Sequence, residues 1–219
     1  MALKVLILNE ITLELRRKSV ISGILLYLFC LIFICYLTFN LQRNTINPAS
    51  WSALFWLTIL FAVINSVAKS FIGEKKGLAF YLYYLASPQL IIAAKIIYNS
   101  ILAFLLSLSG YGLFAVLIGD QVGDRIVFLA TLVLTSIGLA SVLSLISSIA
   151  AKTNHSNVLM AVLSFPVVIG ILLMAVKITK NVIDGLDITA SYDELLNLLA
   201  INCILTGLAY LLFPYIWRS

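Results

Sequence analysis

Lys69-Ser70-Phe71-Ile72-Gly73-Glu74-Lys75-Lys76-Gly77-Leu78-Ala79-Phe80-Tyr81-Leu82-Tyr83-Tyr84-Leu85-Ala86-Ser87-Pro88 separates two apolar runs, Trp51–Ala68 and Ile92–Ile118. A hydrocarbon core of ~30 Å needs ~20 helical residues, and each run is long and apolar enough to supply them. The segment between them is therefore a loop at a membrane surface. Its first part is basic. Its second part, Leu78–Ala86, carries Phe80, Tyr81, Tyr83 and Tyr84 and no charge. Gly77 and Pro88 bracket a short helix-like element on which Leu78, Tyr81 or Leu82, and Leu85 share one side. Phe80, Tyr83 and Tyr84 lie around the others, so no face is solvated. Aromatic elements of this kind settle in the headgroup layer or in the core of a protein interface. An interfacial anchor and a lever docked in a cleft on a cytoplasmic partner both remain open.

Working outward, the whole chain is of the membrane class. Hydrophobic residues make up 63% of 219 positions and charged ones 11%, with a mean hydropathy of +1.12. Ordinary soluble domains carry roughly 25% charged residues. Six runs are able to span: Val20–Phe39, Trp51–Ala68, Ile92–Ile118, Ile126–Ala151, Val158–Val176 and Leu195–Trp217. The expected fold is an all-α integral membrane protein of one transmembrane domain, residues 1–219, with an amphipathic helix at 1–19 and a short loop helix at 77–86. Such a fold resembles that of ABC-2-type permeases. Cys30, Cys35 and Cys203 sit in apolar runs without a C-x-x-C pair, which argues against a disulfide framework or thiolate zinc site. No removable signal peptide is expected, because a charged segment precedes the first apolar run and no small-residue cleavage site is evident.

In the N-terminal segment Leu3, Leu6, Ile7, Ile11, Leu13 and Leu15 alternate roughly with Lys4, Asn9, Glu10, Glu14, Arg16 and Arg17. This predicts an interfacial helix, with Arg16, Arg17 and Lys18 as its anchor to membrane lipid. Lysine and arginine then set the orientation. With the N-terminus inside, ten lie in inner segments (Lys4, Arg16, Arg17, Lys18, Lys69, Lys75, Lys76, Lys95, Lys152 and Arg218), and four lie outside (Arg43, Arg125, Lys177 and Lys180). Both termini are thus expected in the cytoplasm of a multi-pass protein.

Three details refine this plan. The third run is longer than one perpendicular crossing needs, so it must tilt or break at Gly110-Tyr111-Gly112. Lys95 lies in its first turns, where a lysine can snorkel to the interface; a functional intramembrane lysine is the sharper alternative. Ser136, Ala140, Ser144 and Ser148 recur every four residues in the fourth run. Small hydroxylated residues on one stripe favour close helix packing, with a polar translocation lining as the alternative.

The chemistry that is missing also informs the reading. No Asp, Glu, His or Arg falls in the middle of a span, where ion-coupled carriers keep such groups. No Walker motif occurs, and the lone histidine, His155, sits in a short inner loop. Neither an enzyme nor a self-powered carrier is expected. If the scaffold moves, a partner supplies the energy.

The chain resembles the CcmB family, also called haem exporter protein B, the membrane subunit of the cytochrome c maturation ABC transporter. Members share this length, the six-span layout and an amphipathic start, matched by Glu10, Glu14, Arg16 and Arg17. The nearest local match is the inner loop: Glu74, Gly77, Leu82, Leu85, Pro88, then Lys95. Where members have acidic residues after the loop glycine, this chain has Ala79-Phe80-Tyr81. The resemblance implies pairing with a second copy, a cytoplasmic ATP-binding cassette subunit and a haem-handling membrane protein of the same pathway, in a bacterial inner membrane. It makes Glu74, Gly77, Leu78, Phe80, Tyr81, Leu82, Tyr84, Leu85 and Pro88 the ATPase-coupling residues. Haem is then cargo of the complex. No cofactor, metal or nucleic acid is expected on this chain, since haem iron takes His, Met, Cys or Tyr ligands and none is set here against a second ligand. The alternatives are a subunit of another ABC exporter, for lipid, polysaccharide or drug, and a non-transporting assembly factor.

Overall fold

The computed structural model describes residues 2–16, 18–42, 47–67, 87–151 and 156–218. Its elements are α1 (Ala2–Arg16), α2 (Lys18–Gln42), α3 (Pro48–Val67), α4 (Pro88–Leu117), α5 (Arg125–Ala150), α6 (Ser156–Ile183) and α7 (Tyr192–Arg218). One 3-10 turn, Ile188–Ser191, leads into α7. Six of the helices, α2 to α7, are long and apolar enough to cross a membrane. This is an all-α, multi-pass membrane protein.

Local chemistry places the helix ends. Asn47 opens α3: its Oδ1 accepts from Ala49 N at 3.1 Å and its carbonyl from Trp51 N at 2.9 Å. Pro88 stands in the first turn of α4, where its missing N–H costs no hydrogen bond. Asp124 caps α5, its side chain accepting from Ile126 N and Val127 N at 2.9 and 3.3 Å. After α6 the chain turns at Gly185, whose φ of 71° suits glycine, while Leu186 N reaches back to Asn181 O at 3.0 Å.

Two expectations are refined here: of tilt or a break in the third run, no break is present. α4 is one unbroken helix through Gly110-Tyr111-Gly112. Gly110 instead permits close approach: a β-carbon there would stand 2.5 Å from Ile59 Cδ1. At ~1.5 Å per residue α4 is roughly 45 Å long, and its first turns run beside α1. The second refinement concerns α6, which continues past Val176 to Ile183. Lys177 and Lys180 do not end it; they pair with Glu194 and Asp184 at its tip.

α5 is the hub. It packs against α4, α6 and α7 and also meets α3. Of its membrane window 67% is buried, against 17% for α2. Its small residues make this possible. Thr131, Thr135, Ser141, Ser144 and Ser147 are fully buried, as is Ala140. Ser141 and Thr206 hydroxyls lie 3.2 Å apart, and Asn202 Nδ2 donates to Leu134 O at 2.7 Å. At Gly138 a β-carbon would collide with Asn202 Oδ1 and press on Ile171 Cδ1 at 3.1 Å. The serine stripe is therefore a helix-packing seam.

The bundle has two distinct ends. At one, Trp51, Phe55, Phe114 and Phe128 pack ring against ring, with centroids 5.4 Å apart for Trp51–Phe114 and for Phe55–Phe114. Trp56 Nε1 donates to Thr179 Oγ1 at 2.9 Å beside them. At the other end a small cluster joins Ile91, Ile92 and Ile96 of α4 to Ala209 and Phe213 of α7, with Leu6 of α1 packed on it. That places α1, the start of α4 and the end of α7 together.

Candidate functional site

The end that gathers α1, the start of α4 and the end of α7 also holds the residues that flank segment 68–86, which itself lies outside the described residues. α3 stops at Val67, fully buried, and α4 begins at Pro88. Ser87, just before it, is extended, with φ −66° and ψ 144°, as a residue before proline must be. Of the residues expected to couple to an ATPase, Pro88 is described. Glu74, Gly77, Leu78, Phe80, Tyr81, Leu82, Tyr84 and Leu85 lie outside the described residues, as do Arg17 and the side chains of Arg16 and Lys18.

Beyond Pro88 the first turns of α4 carry a polar stripe at helical spacing: Lys95, Asn99 and, two turns on, Ser107. Each is about 1% exposed. Lys95 Nζ donates to Glu10 Oε1 of α1 at 3.1 Å. Asn99 Nδ2 donates to Ser144 Oγ of α5 at 2.8 Å, and Ser107 Oγ lies 3.5 Å from Ser136 Oγ. Taking polar groups out of water is costly unless they are paired, and these pairings offset that cost. Lys95 thus does not snorkel to the interface. It is buried and holds α1.

Sequence reasoning missed this ion pair, although two signals existed. Lys95 is the one charge within its span. Glu10 falls three residues after Ile7 and four after Leu6, so helical periodicity sets it on the same side as the apolar residues. Each charge is out of place alone, and together they match. Glu10 is less buried than its partner, with 21% of its side chain exposed.

Beside the pair lies a cavity of about 390 Å³. Ile11 of α1 and Ile24 and Leu25 of α2 face Ser66 of α3 and Tyr98 and Leu102 of α4 across it. Ile11 follows Glu10 directly and Tyr98 is one turn past Lys95, so chain neighbours of both partners line the cavity. On the rest of α1, Val5 and Leu8 are 63% and 52% exposed. A helix with apolar side chains turned away from its own protein suits the membrane interface.

The family model for the CcmB protein matches residues 1–211. The chain belongs to the CcmB family. The match takes in α1, the loop at 69–87 and all but the last residues of α7, so Glu10 and Lys95 both fall inside it. No curated protein and no solved structure matches the chain. Family membership and six membrane-length helices are consistent with the membrane subunit of a transporter.

Proposed function

We propose that this chain is the permease subunit of an ABC transporter complex for cytochrome c maturation, converting ATP hydrolysis by a separate cytoplasmic subunit into export of haem or release of a haem-loaded chaperone. The family match over residues 1–211 carries the reading. The physical chemistry supports it. The middle of the bundle has no Asp, Glu, His or Arg with which to harness an ion gradient, so work must come from outside the membrane. The excess of Lys and Arg supports a cytoplasmic α1 end, with segment 69–87 on the same side, and the family reading sets the chain in a bacterial inner membrane. There Leu78–Ala86 is the coupling helix, offering Tyr81 and Leu85 to a cleft on the ATPase, beside a second copy of the chain and a haem-handling membrane partner.

The test is co-purification. Replacing Tyr81→Asp together with Leu85→Asp introduces two charges into the docking surface without touching a span. The ATPase subunit should then be lost from affinity-purified complexes while the chain still accumulates in the membrane. Undiminished recovery of the ATPase would refute the coupling role.

A further inference from the structure

The Glu10–Lys95 pair joins two elements that a moving coupling loop would otherwise address separately. Lys95 lies seven residues into α4, roughly 10 Å along a helix that starts where the loop ends. A helix holds its shape over two turns, so a displacement of Pro88 arrives at Lys95 almost undiminished. On the receiving side Glu10 projects from α1, which bears Val5 and Leu8 toward the bilayer and leads directly into α2. Leu6 of α1 also packs on Ile91, Ile92 and Ile96 of α4, but such apolar contact has no preferred direction. The cavity between Ile11, Ile24 and Leu25 on one side and Ser66, Tyr98 and Leu102 on the other interrupts the contact of α2 with α4 next to the pair. An ion pair whose ammonium is 1% exposed resists both stretching and sliding, because pulling opposite charges apart out of water is costly.

We propose that Glu10 and Lys95 form a strut that hands motion of α4 to the interfacial helix α1, and through it to α2. Both are positioning residues of the transport cycle, with no role in binding cargo. The inference rests on the coupling reading of loop 69–87. It adds that the interfacial helix is a driven part of the machine.

The test uses the whole complex in cells, with three readouts: ATPase retained on purification, ATP hydrolysis per complex, and haem-bearing c-type cytochrome produced. Four variants are compared: Lys95→Met, Glu10→Gln, the double Glu10→Leu with Lys95→Met, and the exchange Glu10→Lys with Lys95→Glu. The single variants should keep the ATPase and continue to hydrolyse ATP. Their cytochrome output should fall about tenfold, the scale on which coupled sites communicate. The exchange should restore most of that output. The double variant, which removes both charges of the pair, should insert normally and still be uncoupled. A merely structural pair would lower hydrolysis and output together, in step with the amount of complex. Wild-type output in the single or the double variants would overturn the strut. Should the single variants not accumulate, the exchange and the double variant decide by the same readouts. A wild-type chain that retains no ATPase would sink the coupling reading itself, and the strut with it.

Discussion

At one end of the bundle Trp51, Phe55, Phe114 and Phe128 interlock, and α3 is tied to α6 through Trp56 and Thr179. At the other, α1 is held to α4 by a buried ion pair beside a cavity. The first arrangement is dense, apolar and non-directional. It resists deformation from every side because each ring touches several others. The second adds a directional contact to the packing of Leu6 on α4, and a contact of that kind can pass force along one line. The comparison suggests a fixed end and a working end, with α5 as the column between them.

Three substitutions test that division, in order of expected effect. Trp51→Ala removes a ring that is 1% exposed at the fixed end, and should cost about 3–5 kcal/mol of stability. Thermal unfolding in detergent checks this; a near-unchanged midpoint would mean that the aromatic end is no anchor. Gly138→Leu forces a side chain into the crossing of α5, α6 and α7, for an expected loss of about 1–3 kcal/mol. The same melt should show that loss, together with weaker association of α7 with the rest. Asp184→Asn breaks the exposed pair with Lys180, 3.4 Å apart at the tip of α6. It should cost only about 0.3–0.5 kcal/mol, a shift near the resolution of the measurement. A large effect there would show that ionic contacts matter at both ends and would blur the distinction.

Much of this architecture was legible because hydrophobic length alone marks a membrane helix. All six spans appear where the apolar runs lie, and the serine stripe of α5 read correctly as a packing seam. The errors have a common origin: charge was treated as a boundary. Lys177 looked like the end of a span, yet backbone hydrogen bonds carry α6 on to Ile183, and Glu194 of α7 meets the lysine across the turn. Lys95 looked like a residue reaching for water, yet its partner stands 85 positions earlier in the chain. No local pattern reports such a partner. Tilt and a break at Gly110-Tyr111-Gly112 were both open from length alone, and α4 runs unbroken, with Gly110 making room for Ile59. For the segment Glu74 to Leu85 the aromatic composition leaves a lipid anchor and a docking element both open, and the coupling role follows from the family resemblance.

The crossing at Gly138 has a consequence for how the chain tolerates change. Asn202 Oδ1 occupies the space that a side chain at 138 would claim, while its Nδ2 binds Leu134 O on the same helix. The two positions share one volume, so neither can vary alone. Enlarging residue 138 requires trimming residue 202, which surrenders the amide bond that locks α7 to α5. A suppressor of a bulky change at 138 would therefore map to α7, and would leave a protein whose last helix is freer to shift.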